Sequence, residues 1–454
     1  MKKILIALVV FLQYAAFCNA QTFGGGNAHS LVICADNTVQ SFGNNYYGQL
    51  GNGTFAPSFM PVAVSSLTNV IEVVAGRYYS VALKSDGTVW AWGENYWGQL
   101  GNGTNIDSNV PVQVTGLSGV ISIAAGDSMD HTLALKNDGT VWAWGNNWDG
   151  QLGNGTNINS NIPVQVTGLT GVISISGCDD SSFALKNDGT VWVWGDNYGL
   201  FGNGTATTPW DSNIPILITS ISGVAAIASA GSEAIALRTD STVWAWGNGA
   251  STPYLITSLS GITNISRGRS TWPSSEHSMA LKSDGTVWAW GANDYGQLGN
   301  GTNIYSSIPV QVSSLSNVRA ISACNGHSFA QKYDGTFWAW GSNASGKLGT
   351  GTSISSNLPV QITITCPVAI GIDEITEQNA VVVYPNPSSG QVSFDGVVEN
   401  DVVEVMDITG RIIKSETFSV TNHTIDLSSY QRGIYIYRII DEQGRSQQGK
   451  LILQ

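Results

Sequence analysis

Apolar and polar positions alternate along most of this chain in runs too short for helices. Between Val120 and Gly168 they read VISIAAG, HTLALK, TVWAWG and, after a longer interval, IPVQVTG. A two-residue period is that of a strand with distinct faces. Asn137-Asp138-Gly139 joins the second run to the third, and an Asp-Gly pair suits the positive φ of a tight hairpin turn. SDGT, NDGT and YDGT mark the same turn in other units. No segment sustains a helical period, so the pattern predicts an all-β chain built from units of four short strands.

The unit is copied. The glycine after the aromatic pair falls at Gly43, Gly93, Gly145, Gly195, Gly247, Gly291 and Gly341, spaced 50, 52, 50, 52, 44 and 50 residues apart. Seven units of that period point to a solenoid or a propeller. Strand alternation puts Trp142 and Trp144 on one side, opposite Val141 and Ala143. A bulky face stacked on a small one fills the space between neighbouring sheets. Twelve of the 16 tryptophans form six such pairs, which marks them as core. The string GQLGNGT precedes a proline-containing strand and recurs in six units, so it is a turn scaffold and not a phosphate loop, which would open a helix once.

The string HSxALKxDGTVWAWGxNxxGQLGxGT followed by PVxV resembles the regulator of chromosome condensation repeat, from roughly Phe23 to Thr365. The resemblance implies a seven-bladed β-propeller. The first strand (Phe23 to Gly26) and the last (Leu358 to Thr365) complete seven sets, so the ring closes without a free sheet edge.

Composition shifts near Gly371: 12 acidic and 6 basic residues follow, in a region of short alternating strands between turn signals. A small immunoglobulin-like β-sandwich is expected there. Tyr384-Pro385-Asn386-Pro387, Asp407-x-x-Gly410-Arg411, Gly433-x-Tyr435 and Lys450-Leu451 make this tail resemble the C-terminal sorting domain of the Bacteroidetes type IX secretion system. The resemblance implies the type IX machinery as a partner, and export to the medium or the outer-membrane surface. At the other end, Lys2 and Lys3 precede an apolar run from Ile4 to Leu12, and Cys18-Asn19-Ala20 offers a small residue for cleavage before Gln21. Residues 1–20 are therefore expected to be a signal peptide that takes the chain through the periplasm. Residues 21–370 are expected to be the propeller, 371–380 a linker and 381–454 the sorting domain. No later apolar stretch is long enough to span a bilayer.

Charged residues are 11% of the chain and the net charge is −13, which argues against nucleic acid. It also argues against the nucleotide-exchange and nucleosome roles associated with the repeat family. Four histidines, His29, His131, His277 and His327, share one repeat position and are expected to be structural hydrogen-bonders. No catalytic constellation, cofactor motif or metal spacing stands out, and a monomer is expected. Ring closure places Cys34 beside Cys366, an expected disulfide, while Cys178 and Cys324 belong to distant blades and are expected to stay unpaired.

The departures from the repeat carry the functional expectation. Loops between strands one and two, and between three and four, share one face. Insertions fall there: Asp127 to Asp130, Thr207 to Trp210, and Arg267 to Glu276. Arg267, Arg269, Trp272, Trp210, Asp127 and Asp130 are the candidate partner site, since loops on a rigid scaffold carry recognition. The expected function is a secreted or surface-held module binding a protein or a glycan. A secreted lyase or hydrolase acting on polysaccharide is the alternative.

Overall fold

The computed structural model describes residues 22–126, 130–197, 199–204, 210–247, 249–268, 276–364, 382–384, 388–395, 397, 400–407, 411–418, 423–440 and 446–453. The chain divides into two compact units, residues 1–366 and 367–454. The first holds seven four-stranded antiparallel sheets, each made of four consecutive strands paired in chain order. It is a seven-bladed propeller. In blade 3 the strands are Val120–Ala125, His131–Lys136, Val141–Gly145 and Ser160–Gln165. First strands line a central cavity of about 270 Å³. Fourth strands form the half-exposed outer rim.

The repeated residues join blade to blade. Trp144 is fully buried and Trp142 half-buried, and both pack on Val81, Val89 and Ala91 of blade 2, the small face that the alternation anticipates. In the Asp-Gly-Thr hairpin, Thr140 donates its N–H and its hydroxyl to Asp138 Oδ1, at 3.0 and 2.6 Å. The indole N–H of Trp142 then donates to Thr140 Oγ1 at 3.3 Å.

The loop after the third strand is clamped by one asparagine. Asn147 Oδ1 accepts from Leu152 N at 2.8 Å, and its Nδ2 donates to the carbonyls of Thr156 and Ile158 at 2.8 and 3.1 Å. The loop so fixed reaches the next blade. Gly150 lies so close to that blade's outer strand that a Cβ would sit 2.5 Å from Asn213 Cα; at Gly153 a Cβ would meet the Trp194 indole nitrogen at 2.7 Å. Between these glycines, the carbonyl of Gln151 accepts from Trp194 Nε1 at 2.8 Å and from Ser182 Oγ at 2.9 Å. The string GQLGNGT is therefore an inter-blade clasp.

The seam between blades 7 and 1 uses other residues for the same purpose. Phe23, Val32 and Phe42 pack with Phe329, Phe337 and Leu348. Lys347 stands where blades 1, 2, 3 and 6 have Gln and blade 4 has Leu200. Its ammonium donates to Asn325 O at 2.6 Å and Asn27 O at 3.1 Å, and its carbonyl accepts from Ser30 Oγ at 2.8 Å.

The second unit is a β-sandwich. A three-stranded sheet (Val382–Tyr384, Gln391–Asp395, His423–Asp426) faces a four-stranded one (Ile412–Thr417, Val402–Met406, Gly433–Ile440, Ser446–Leu453). Phe394 and Ile425 of one sheet share a core with Val403, Val405 and Tyr437 of the other. Asp407 brackets a turn: its Oδ1 accepts from Arg411 N at 3.2 Å and its Oδ2 from Arg411 Nε at 3.1 Å. Gly433 opens the long strand in which Tyr435 donates its hydroxyl to Gln431 O at 2.7 Å, and Lys450 pairs with Ile436 across the sheet. Tyr384 ends the first strand. Pro385, Asn386, Pro387 and Gly410 lie outside the described residues, as do the segments expected to be signal peptide and linker.

Cys178 and Cys324 are buried cysteines that are not disulfide-bonded. Cys34 is disulfide-bonded; the partner expected for it, Cys366, lies outside the described residues. If the two are joined, peptide mapping of the unreduced protein recovers them in one cross-linked fragment. Reduction then lowers stability by about 5 kcal/mol on the chain-entropy account. Recovery of Cys34 joined to any other cysteine rejects the pairing.

Candidate ligand-binding face

In an antiparallel four-stranded blade the loops after strands one and three emerge together. Where a loop after strand three meets the next blade's loop after strand one, the chain forms an inter-blade network at the cavity mouth. His29, His131, His277 and His327 open the second strands of blades 1, 3, 6 and 7. Their Nε2 atoms lie 2.9, 2.9, 2.7 and 3.0 Å from the hydroxyls of Ser80, Ser182, Ser328 and Ser30 in the following blade. Ser80, Ser182 and Ser328 each spend their single proton on a glutamine carbonyl. The imidazoles of His29, His131 and His277 therefore donate from Nε2 and leave Nδ1 bare, without a partner among the described residues. Burial lowers these three to about 3. They are neutral structural links, as the shared repeat position suggests.

Blade 5 breaks the series, and the break explains Arg267. Blade 5 lacks the GQLGNGT loop, so Ser278 of blade 6 has no loop carbonyl to bond. Arg267 stands in blade 6 where the other six blades have Gly25, Ala75, Ala125, Gly177, Ser229 and Ala323, residues aligned by strand register. Its Nη1 donates to Ser278 Oγ at 2.6 Å and its Nε to Ala230 O at 3.3 Å. Nη2 pairs with Glu233 at 2.7 Å and also with Glu276. Glu276 in turn accepts from Ser232 N at 3.1 Å. Burial raises the Glu233 carboxyl, against the opposing pull of Arg267.

This corrects the expectation that Arg267 contacts a partner. It belongs to the first strand of its blade, is only 8% exposed, and its guanidinium is consumed by the fold. Asp130 is also buried, beside Glu94 and Arg77, and burial raises its carboxyl well above the ordinary range. It too is withdrawn from the surface. Trp210 is 68% exposed at the start of the outer strand of blade 4. Asp127, Arg269 and Trp272 lie outside the described residues.

What the face exposes is a set of rings that the insertions do not point to. Tyr46 is 81% exposed, Tyr96 67% and Trp148 55%, each at the tip of an asparagine-clamped loop. Trp97, Trp148 and Trp210 all fall in loops after third strands; they are three of the four tryptophans outside the core pairs. The signal was present in the variable slots of the repeat. Blades 1 to 3 read NNYYGQ, ENYWGQ and NNWDGQ, whereas blade 7 reads SNASGK. Carboxyl groups lie among these rings. Burial and then Asp107 raise Glu94, and Asp107 Oδ1 accepts from Asn95 N at 2.8 Å.

The cavity behind this mouth is lined by glycine, alanine, serine and aliphatic side chains, with Glu72 as its acid and Arg267 as its base. Glu72 accepts from Ser122 Oγ and Ile123 N, both at 3.2 Å, and burial raises it to about 8. Among the described residues, no group of three or more His, Cys, Asp or Glu is arranged to hold a metal. No helix there is long and apolar enough to cross a membrane.

A closed ring of seven four-stranded blades with one individualised loop face, joined to a small β-sandwich, defines an all-β propeller carrying a C-terminal accessory domain. The chain belongs to the RCC1-like domain family, which matches residues 118–392. Regulator of chromosome condensation (RCC1) repeats match 36–83 and 86–135, and a second form of the repeat matches 70–99. Residues 382–454 match the secretion system C-terminal sorting domain. Among curated proteins, the E3 ubiquitin-protein ligase HERC2 of Mus musculus is 28% identical over 208 residues and that of Homo sapiens 29% over 208. That segment is 42% of this chain and 4% of either ligase. Among solved structures, yeast RCC1 (Prp20) bound to Kap60 superposes with a TM-score of 0.63 at 18% identity, over 77% of this chain and 86% of that one. Prp20p from Saccharomyces cerevisiae, described with its binding to Gsp1p and histones, gives 0.61 at 20%, over 71% and 85%. At these identities the likeness is one of fold.

Two predictions follow from the buried groups. Arg267→Ala strands two buried carboxylates and lowers stability by about 3 kcal/mol in denaturant unfolding. Trp210→Ala, at an exposed site, stays within about 0.5 kcal/mol; equal effects would refute the buried network. For Glu72 the folded carboxyl titrates near 8 against an ordinary value of 4.5. The unfolded state releases its proton first, so this contribution is full below pH 4.5 and is lost as pH rises through 8. Glu72→Gln removes that dependence. The melting temperature of the variant therefore gains on the parent from pH 4.5 to 8 and then levels off; a constant difference contradicts the buried acid.

Proposed function

We propose that this chain is an exported binding module whose loop face grips a protein or glycan outside the cell. The sorting domain implies type IX secretion and delivery to the cell surface; the proposed route enters the periplasm through a signal peptide at residues 1–20. The observation that carries the binding role is the contrast between faces. One face presents Tyr46, Tyr96, Trp148 and Trp210 on its loops, while the other is built of Asp-x-Thr hairpins of one design, with Tyr333 as a single exposed ring at a described hairpin tip. Large exposed rings on preorganised loops are what an interaction surface needs, because little ordering cost is left at binding. The net charge of −13 supports a ligand other than nucleic acid.

The test compares the two faces. One variant replaces Tyr46, Tyr96, Trp148 and Trp210 with Ala; the other replaces the hairpin tips Ser85, Asn137, Asn187 and Ser283 with Lys. Both are labelled and applied to an array of extracellular glycans and proteins from the producing organism's habitat. The parent and the hairpin variant are expected to bind the same spots, and the loop variant to lose them by more than tenfold. Loss in the hairpin variant alone places the site on the opposite face and overturns the reading.

A further inference from the structure

The exposed rings are not evenly spread around the ring of blades. Two aromatic clusters each straddle a seam. Trp97 of blade 2 meets Trp148 of blade 3 with ring centres 4.7 Å apart, and Tyr96 stands edge-on to Trp97 at 4.5 Å. Tyr47 of blade 1 meets Tyr78 of blade 2 at 5.1 Å, with the Arg77 guanidinium 5.1 Å from the centre of the Tyr78 ring. Tyr46, the most exposed of the described large apolar side chains, precedes Tyr47 in the chain and lines a shallow groove with Phe55, Pro57, Phe59 and Ser345 of blade 7. In blade 7 the same slots hold Ala344 and Ser345. Tyr295 is 41% exposed in the same slot of blade 6, but the rings in mutual contact form an arc over three adjacent blades.

We propose that this arc binds a neutral polysaccharide chain, its sugar rings stacked on Tyr46, Tyr96 and Trp148. The inference rests on the binding reading above and names the ligand class. Three observations favour a glycan. The rings lie on clamped loops in a row that crosses two seams, an open track suited to a chain and not an enclosed hole suited to one small molecule. Carboxyl groups sit among the rings: Glu94 and Asp107 in blade 2, with Asp149 and Asp211 facing each other between blades 3 and 4. Such groups accept hydrogen bonds from sugar hydroxyls, whereas the cores of protein interfaces are depleted in charge. Finally, acidic groups outnumber Arg77 along the track, which repels uronates, sulfated sugars and nucleic acids. The tyrosines and tryptophans supply an apolar ring body with a polar tip, matching the C–H faces and hydroxyl edges of a sugar.

Affinity electrophoresis of the full purified chain tests this, with xylan, mixed-linkage β-glucan and galactomannan as neutral probes and alginate and polygalacturonate as anionic ones. At least one neutral glycan is expected to retard the chain, and neither anionic one. Tyr96→Ala and Trp148→Ala should each weaken retardation more than tenfold at unchanged melting temperature, while Tyr333→Ala, at an exposed hairpin tip on the opposite face, binds as the parent does. No retardation by any neutral glycan, equal retardation by the anionic ones, or unaltered binding by the two arc variants overturns the proposal. Capture of a protein that depends on the loop face, without glycan retardation, leaves the binding module standing and removes the glycan.

Discussion

A single loop carbonyl, present in six of the seven blades, organises the propeller. The backbone oxygen of Gln49, Gln99, Gln151 or Gln297 accepts from a tryptophan indole and from a serine or threonine hydroxyl of the following blade. A buried indole N–H left unbonded would cost on the order of 1–3 kcal/mol, so the loop that offers this oxygen must be held in place. The asparagine clamp inside each loop does that. The glycines around the carbonyl let the loop touch its neighbour. Residues that looked like decoration in the sequence are thus the reason adjacent sheets stack in register, and they make the loops rigid enough to display side chains.

The variations follow the same logic. Where blade 5 loses its clasp loop and has Glu233 in the histidine position, Arg267 donates to Ser278 Oγ from inside the sheet, as the histidines do at other seams, and brings Glu233 and Glu276 with it. Where the ring must close, Lys347 replaces the glutamine and ties the loops of blades 7 and 1 together. The histidines add a second tier of links at the cavity mouth. They stay neutral there because burial penalises their charge.

The architecture was legible from the sequence because its causes are local and repeated. Alternation in TVWAWG, the Asp-Gly-Thr hairpin and the period of the marker glycine each specify one feature. The site was less legible. Arg267 reads as an exposed loop arginine because it sits beside an insertion, and only strand register shows that it occupies a slot held by small residues in the other blades. Asp130 misleads for the same reason: its neighbour Glu94 is 36 residues away in the chain and adjacent only across a blade seam. The aromatic arc lay in plain view in the slots YY, YW and WD. Insertions stand out against a repeat, whereas substitutions within its variable slots do not.

The central claim is that a rigid repeat scaffold displays one face for recognition, with blades 1 to 3 as its contact surface. Hydrogen exchange of the full chain, with and without each neutral polysaccharide, measures it most directly. The account predicts that a bound glycan slows exchange in residues 44–59, 94–107 and 146–159 and leaves the Asp-Gly-Thr hairpins unchanged. Protection confined to the hairpins, or to the first strands around the cavity, would contradict it.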